Sequence, residues 1–307
     1  MKLIKPSFEI IEPTGYTMDD IYKSIELAGR VSHKSEDKIT ETSAKDFVGR
    51  MLNMKHLAVC EFGTVYLEYH VQDPSVIGEL NYHKQQEELN SLIKKYANNK
   101  YSCIKVNHYY DTVFITSNYR VLVENNWLGD LRYLCIPTSF HEKRYTVKFT
   151  CDRGVTHEFV RHRPFSFMQE STRYCNYSKG KFNNELTFII PCWSSIEEQD
   201  YGDIFNVKEP NNTLASNEYA FIDALRTSET HYIGMVSNDW KPEQARAILP
   251  NALKTELYMC GFAEDWKHFC RLRSSFAGTG QPHPQSKELV DPLTKEFVSR
   301  GYIESLV

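Results

Sequence analysis

The sequence predicts an α+β fold, with a mixed, largely antiparallel sheet flanked by long helices in a single elaborated domain. Three observations predict this class. Segments with strand character come mostly early in the chain, and the longer segments with helical spacing come mostly late. The third observation is that 307 residues with no internal repeat and no low-complexity linker suffice for one large domain or two small ones.

In the first half, alternation and helix caps predict the elements. Residues 2–11 alternate enough to form one strand. Thr17 and Asp20 have capping-box spacing ahead of a helical apolar stripe, and Ser43 and Asp46 are predicted to cap a second helix. The further predicted elements are a strand at 65–69, a polar helix at 82–97, a strand at 112–116 and a helix through about 118–127.

In the second half, a strand at 145–150 is predicted to run directly into a helix over 153–163, which ends in Arg161-His162-Arg163. Pro164 follows, where a helix ends or a new one begins. The remaining predicted elements are a strand at 186–190 and helices at 213–236, from about 242 to before 250, at 264–273 and at 285–300, with a loop at 278–284.

Composition and charge exclude several classes of protein. The apolar fraction is 41%, the formal net charge is −4 and the mean hydropathy is −0.50. A net negative charge argues against nucleic acid as the main partner, because nucleic-acid-binding domains usually carry a positive field. Apolar runs stay short of the ~20 residues that span a bilayer, and the amino terminus lacks the apolar core of a signal peptide. We therefore expect a cytoplasmic protein that does not bind membranes.

Cofactor motifs of the familiar kinds are missing from the sequence. The eight cysteines, at 60, 103, 135, 151, 175, 192, 260 and 270, form no CxxC pair, so neither a zinc ribbon nor a thioredoxin-like site is supported. The chain has no G-x-G-x-x-G after a strand and no Walker sequence. A nucleotide cofactor would have to be bound in another way.

The segment from Arg161 to Tyr174 is the most informative part of the chain. Arg161, His162, Arg163 and Arg173 lie within fourteen residues that contain a single acid. Cations packed so closely repel each other unless an anion lies among them, and the arginine fork binds phosphate through two parallel hydrogen bonds. This pattern predicts a site for a phosphate-bearing small molecule. The alternatives are a solvated basic helix face and a nucleic-acid patch.

The same segment resembles the signature of flavin-dependent thymidylate synthases, in which Arg-His-Arg is followed by seven residues and a serine. Here Arg161-His162-Arg163 is followed by seven residues and Ser171, and Ser171-Thr172-Arg173-Tyr174 continues the resemblance. Two further blocks match the family, at 245–250 and at 266–273. The resemblance implies reductive methylation of dUMP to dTMP by a homotetramer with shared sites. Methylenetetrahydrofolate would supply the carbon, NADPH would supply the reducing hydride, and non-covalently bound FAD would carry that hydride. The reaction would not use a cysteine nucleophile.

The resemblance also implies which residues bind dUMP. Arg246 matches a family arginine that binds the substrate phosphate from a neighbouring subunit; taken alone, it is an ordinary arginine at a helix end. Glu158 occupies a substrate-contact position, or it pairs with His162 at i,i+4. Gln169 stands where shorter family members carry a carboxylate, and Glu170 is the alternative source of that charge. The predicted dUMP-binding residues are Glu158, Arg161, Gln169, Glu170, Ser171, Thr172, Arg173 and Arg246.

Arg273 is the predicted catalytic residue, because the family arginine at this position lies over the uracil ring. A fixed cation near an acidic N–H lowers the pKa of that proton and so favours the ionised ring. Ser32 lies in a block that resembles the family's Ala-x-Arg-Val-Ser, and His56, with Glu61, fits a family His–Glu spacing; taken alone, His56 is an ordinary packed or surface histidine. The residues predicted to bind FAD are Arg161, His162, Arg163, Gln169, His268, Ser32 and His56.

The resemblance covers roughly residues 28–70 and 145–290, which leaves 71–144 unmatched. We predict that 71–144 is an insertion that extends the sheet within one domain over 1–307. Two other functions remain alternatives: a nucleic-acid-binding protein that uses the 161–173 cluster, and a second kind of enzyme, a flavoprotein that reduces a different nucleotide. The first predicts binding that weakens steeply with salt and a protein without a yellow chromophore.

Overall fold

In the computed structural model, which describes residues 1–200, 216–276 and 280–306, the strands pair into three sheets. The strands are β1 (Lys2–Ile4), β2 (Ser7–Ile11), β3 (Thr64–His70), β4 (Cys103–Asn107), β5 (Thr112–Asn118), β6 (Arg144–Asp152), β7 (Ser166–Gln169), β8 (Thr187–Ile189), β9 (Gln199–Asp200) and β10 (Lys254–Phe262). The helices are α1 (Met18–Arg30), α2 (Ser43–Asn53), α3 (Pro74–Ile77), α4 (Glu79–Ala97), α5 (Tyr119–Glu124), α6 (Arg153–Phe159), α7 (Ser216–Ser237), α8 (Pro242–Ala245), α9 (Ala263–Arg273) and α10 (Pro284–Ser299).

The four-stranded sheet has the order β2-β6-β10-β7, and all its pairs are antiparallel. Alternate residues of β6 and β10, such as Val147, Phe149 and Leu257, are fully buried beneath Trp266 and Phe269 of α9. β6 continues directly into α6 and β10 directly into α9. Because the two strands are antiparallel, these helices begin at opposite ends of the sheet, and their carboxyl-terminal residues meet over it.

A second sheet has the order β3-β5-β4 and is also antiparallel. It shares a core with α1, α2 and α4, in which Ile25, Tyr96 and Ile115 are completely buried. Two of its three strands, together with α4, come from the segment 71–144. The description of this segment as an insertion stays a prediction.

The third sheet has the order β8-β1-β9, with β1 parallel to β8 and antiparallel to β9. The single strand predicted over 2–11 is therefore wrong. Pro6 has no backbone N–H to donate to a ladder, and the chain breaks there into β1 and β2, which join different sheets. The core under this sheet includes Leu3, Phe188 and Tyr232 of α7. The first three residues of the helix predicted at 213–236, and part of the loop predicted at 278–284, lie outside the described residues.

The α+β class with mostly antiparallel pairing is confirmed, and the pairing is distributed over three sheets. The capping box at Thr17 is also confirmed: Thr17 Oγ1 accepts from the Asp20 backbone N–H, and an Asp20 carboxylate oxygen accepts from the Thr17 N–H at 3.0 Å. The cap predicted at Ser43 is wrong: the N-cap position of the second helix is Thr42, whose side chain makes no capping hydrogen bond, and the Ser43 hydroxyl donates to Glu26. Among the residues that the structure describes, no helix has the length and apolar character needed to cross a bilayer.

Candidate active site

The Arg161-His162-Arg163 turn follows α6 rather than lying within it. The Asp152 carboxylate caps the helix by accepting from the Val155 N–H at 2.7 Å, and the helix ends at Phe159. The predicted helix is present, but its predicted end at Arg163 is wrong, because the helix stops four residues earlier; Pro164 accounts only for Arg163, whose helical backbone it disfavours. The turn leaves Arg161 and Arg163 exposed and directs His162 inward. A Cβ on Gly261 would come within 2.5 Å of the Phe165 ring, so the glycine lets that ring anchor the turn on the sheet.

Arg273, the last residue of α9, joins this turn to α6. Its NH1 donates to Glu158 Oε2 at 2.7 Å, and its NH2 donates to the Glu158 backbone oxygen at 3.0 Å, which satisfies a carbonyl in the last turn of α6. Its Nε donates to Nε2 of His162 at 3.0 Å. A guanidinium has five N–H donors, so two remain for a ligand. Glu158 thus pairs with Arg273 rather than with His162.

His162 is a neutral residue in this group. Burial and, after it, the nearby Arg273, His268 and Arg161 together lower the pKa of its imidazole to about 4. Because Nε2 accepts from Arg273, the ring proton resides on Nδ1. The Phe269 ring packs against the imidazole edge-on at 4.9 Å. A neutral ring at the middle of the turn therefore adds no further positive charge to its three arginine neighbours.

The predicted flavin contacts in this group have a suitable donor set. Within the described residues, the exposed guanidiniums of Arg161 and Arg163 have no acidic partner, and His268 is exposed one turn before Arg273. An FAD diphosphate is anionic and takes charge-assisted hydrogen bonds from such groups. These residues fit the cofactor that the resemblance implies.

A second group forms around the loop after β7. The Ser171 N–H donates to the Ser32 backbone oxygen at 3.1 Å, which brings two predicted contact residues together. Arg246 NH1 lies 3.4 Å from the Thr172 hydroxyl and donates to it. Arg173 is exposed, with its guanidinium 5.3 Å from the centre of the Tyr174 ring.

His33 connects His56 to this second group. Its ring stacks on the Tyr174 ring at 4.2 Å. Burial and, after it, the charge of the nearby exposed His56 lower the pKa of His33. The structure therefore assembles residues from three separate parts of the sequence at one surface.

Gln169 and Glu170 differ sharply in their surroundings. The amide nitrogen of Gln169 donates to the hydroxyls of Thr156 and Thr255, at 3.1 and 3.2 Å, which leaves its carbonyl oxygen for a donor on a ligand. Glu170 is 1% exposed, and its two oxygens accept from Tyr177 and Lys254, each at 2.9 Å. Both carboxylate oxygens of Glu170 therefore have partners within the chain, whereas Gln169 is partly exposed; the predicted contact of Glu170 with substrate stays a prediction.

Behind the loop after β7 lies a row of alternating glutamate and lysine side chains, called the charge ladder below. It was not predicted from the sequence. Lys254 Nζ bridges Glu170 and Glu256, and Lys34 Nζ bridges Glu256 and Glu36. Burial alone would raise the pKa of Glu256, but the two lysines hold it at about 2. The ladder joins the chain beside Ser32 to the chain beside Ser171. Lys254 and Glu256 occupy alternate positions of one strand face, which is the signal that could have identified them.

The chain is similar in sequence to known proteins. A family model described as thymidylate synthase complementing protein matches residues 126–297. A flavin-dependent thymidylate synthase of Corynebacterium efficiens is 32% identical over 124 residues, which is 40% of this chain and 46% of that protein. A probable flavin-dependent thymidylate synthase of Paramecium bursaria Chlorella virus 1 is 26% identical over 171 residues, or 54% of this chain and 75% of that protein.

The chain thus spans just under half the length of the bacterial relative. Among solved structures, a UMP/dUMP methylase PolB from Streptomyces cacaoi with bound 5-Br UMP aligns over 99% of this chain and 92% of its own. That alignment has 14% identity and a TM-score of 0.45.

Proposed function

Since this chain belongs to the thymidylate synthase complementing protein family, we propose that it is a flavin-dependent thymidylate synthase. The proposed reaction converts dUMP to dTMP, with methylenetetrahydrofolate as the carbon donor and NADPH as the reductant. FAD, when bound, would carry the hydride that NADPH supplies. The observation that carries this proposal is the joining of Arg273 to the Arg161-His162-Arg163 turn, because it puts the family's signature and its candidate catalytic arginine in one group.

In the proposed complex, Arg273 directs its two remaining N–H donors at the pyrimidine. Glu158 and His162 hold the guanidinium at both sides, so the cation is positioned before substrate arrives. Arg161 and Arg163 would hold the flavin diphosphate, and His268 and the Gln169 carbonyl would be further contacts of the flavin. Ser171, Thr172, Arg173 and Arg246 bind the phosphate of dUMP.

The surroundings of the cysteines support a reaction without a thiolate nucleophile. A reactive cysteine has a lowered pKa in an electropositive, accessible place. Burial instead raises the pKa of Cys60 and of Cys135 to about 11 and that of Cys270 to about 12. Burial also raises the pKa of the exposed Cys192 thiol.

We predict that the purified protein is yellow and contains non-covalent FAD. Two exposed guanidiniums beside a neutral imidazole attract a diphosphate, and this attraction requires no covalent bond. Release by heat followed by chromatography would identify the flavin. A colourless protein that takes up no added FAD would contradict the proposed function.

We propose a homotetramer in which each site takes one group from each of two subunits. Arg161→Ala damages the first group and Arg246→Ala damages the second. When the two variants exchange subunits, some sites receive two intact groups, so we predict that activity is partly restored. Steady-state dTMP formation before and after exchange is the measurement.

A mixture of Arg161→Ala with Arg163→Ala is the matched control, because both lesions lie in the first group and every site stays damaged. Restoration in this control would show that the groups are not shared as proposed. A monomer that is fully active in dilute solution, as judged by light scattering, would also contradict the tetramer.

A further inference from the structure

The loop at 171–176 follows β7 and contains several of the residues proposed to bind the substrate phosphate. Its two ends are tied together, because the Tyr177 hydroxyl donates to Glu170 Oε1 at 2.9 Å. Within the loop, the Tyr174 and Cys175 N–H groups donate to the Ser171 backbone oxygen at 3.1 and 2.9 Å. The loop therefore has a closed shape, and that shape determines the positions of its proposed phosphate contacts.

Glu170 fixes this loop to the four-stranded sheet through Lys254. The Glu170 N–H donates to the Glu256 backbone oxygen at 2.9 Å, which continues the pairing of β7 with β10 beyond the last strand residue. The Lys254 ammonium donates to Glu170 Oε2 at 2.9 Å and to Glu256 Oε1 at 2.8 Å. Glu170 is 1% exposed and both its carboxylate oxygens have partners, so in this structure its charge acts within the protein.

The other half of the charge ladder fixes the chain segment that the loop touches. Lys34 Nζ donates to Glu256 Oε2 at 2.8 Å. Two residues before Lys34, the Ser32 backbone oxygen accepts from the Ser171 N–H at 3.1 Å. Glu256 thus holds both sides of the contact between Ser32 and Ser171, one side through Lys34 and the other through Lys254.

We propose that Glu170 and Lys254 are positioning residues, whose ion pair holds the loop at 171–176 in the conformation that binds the substrate phosphate. The inference rests on the proposed function, which assigns the phosphate to this loop. Hydrogen bonds to a phosphate are directional, so a loop that is free to shift would lose them. In this role Glu170 acts on the substrate through the loop and not by direct contact.

The signs of two substitutions separate positioning from a direct effect of charge. Glu170→Gln removes a negative charge, so a purely Coulombic effect would strengthen the binding of an anion, whereas Lys254→Met removes a positive charge and would weaken it. If the pair positions the loop, both substitutions weaken binding, because either one breaks the ion pair. Glutamine keeps an oxygen that can accept from Tyr177, and methionine keeps an unbranched stem in place of the lysine.

The test is isothermal titration calorimetry of the full-length protein, loaded with FAD, with dUMP and with deoxyuridine in competition against dUMP. We expect Glu170→Gln and Lys254→Met each to weaken dUMP binding by about 10-fold, less than the roughly 10²-fold that a displacement of about 1 Å can cost. Deoxyuridine lacks the phosphate, so its affinity should not change. The matched control is Lys148→Met, which removes another lysine of the same sheet whose partner Glu9 is exposed; both affinities should stay at the wild-type values.

A double variant separates positioning from stability. Glu170→Gln combined with Lys254→Met leaves no unpaired charge at position 170, and Glu256 keeps Lys34 as a partner, so this variant should fold. Its dUMP affinity should nevertheless stay low, because the link between the loop and the sheet is lost. Thermal unfolding on the same preparations verifies that each variant is folded.

Three results in folded variants would overturn the inference and leave the proposed function standing. These are unchanged dUMP binding, tighter dUMP binding in Glu170→Gln, and an equal loss of affinity for dUMP and deoxyuridine, which a direct contact of Glu170 with the nucleoside would give. If the wild type binds neither flavin nor dUMP, the proposed function itself fails.

Discussion

Replacing Arg273 with alanine should lower turnover about 100-fold at saturating dUMP, the scale seen when one donor to a developing anion is removed. In the proposed reaction, the negative charge on the uracil ring is greatest while the substrate is reacting. An arginine that stabilises this charge lowers the barrier more than it strengthens ground-state binding. Arg273→Lys should restore little activity, because a lysine cannot make the bonds to Glu158 and His162 and also present a planar fork.

Steady-state kinetics that separate kcat from KM provide the measurement. The matched control is Arg271→Ala, which removes an exposed arginine from the same last turn of α9 and should leave turnover near that of the wild type. Near neutral pH His162 stays uncharged, so its titration does not confuse the comparison. If Arg273→Ala keeps near-normal turnover and only raises the dUMP requirement, Arg273 is a binding residue and the catalytic assignment is wrong.

Local patterns predicted most of the helices because caps and spacing are properties of a short stretch of sequence. Thr17 and Asp20 form the capping box that their spacing predicts, and the polar helix predicted at 82–97 is observed as Glu79–Ala97. In that helix Leu89 and Leu92 are buried, as the thin apolar stripe indicates. Such helices can therefore be predicted without knowing the tertiary contacts.

The central strand β10 was missed for a physical reason. Leu257, Tyr258, Met259 and Cys260 form an unbroken apolar run, because Leu257 and Met259 face one core while Tyr258 and Cys260 face another. A strand buried on both faces loses the alternation by which strands are recognised, and a short apolar run suits a helix segment equally well. The strand β7 was missed because it lies within the segment interpreted as a binding motif.

The pairing of Glu158 with Arg273 could not be predicted from sequence spacing. The alternative that Glu158 pairs with His162 assumed a helix through both residues, and that geometry is lost because α6 ends at Phe159. The observed partner lies 115 residues away and arrives only because α6 and α9 start from opposite ends of one antiparallel sheet. Motif matching identified the residues of the first group, but their contacts follow from the fold.

Replacing Lys254 with alanine should cost about 3 kcal/mol of unfolding free energy, the lower end of the range for breaking a buried ion pair. The ammonium lies between Glu170 and Glu256, which are 1% and 15% exposed at their side chains. Without Lys254, Glu170 would keep a charge in the interior with only the Tyr177 hydroxyl to stabilise it. Chemical denaturation near neutral pH is the measurement. The matched control is Lys148→Ala on the neighbouring strand, whose partner Glu9 is 59% exposed, and its cost should stay within about 1 kcal/mol.

The pH dependence distinguishes loss of charge pairing from loss of packing. In the wild type the pKa of Glu256 is lowered from 4.5 to about 2, so its stabilising contribution is complete above pH 4.5 and is lost as the pH falls towards 2. In Lys254→Ala, Glu256 loses one of the two lysines that lower its pKa, so it should take up a proton at a higher pH than in the wild type, which relieves the buried charge. The stability difference between wild type and variant should therefore shrink as the pH falls from neutral through 4.5. A difference that stays constant with pH would mean that Lys254 stabilises the fold through its aliphatic stem, and that the ladder contributes little as a set of charges.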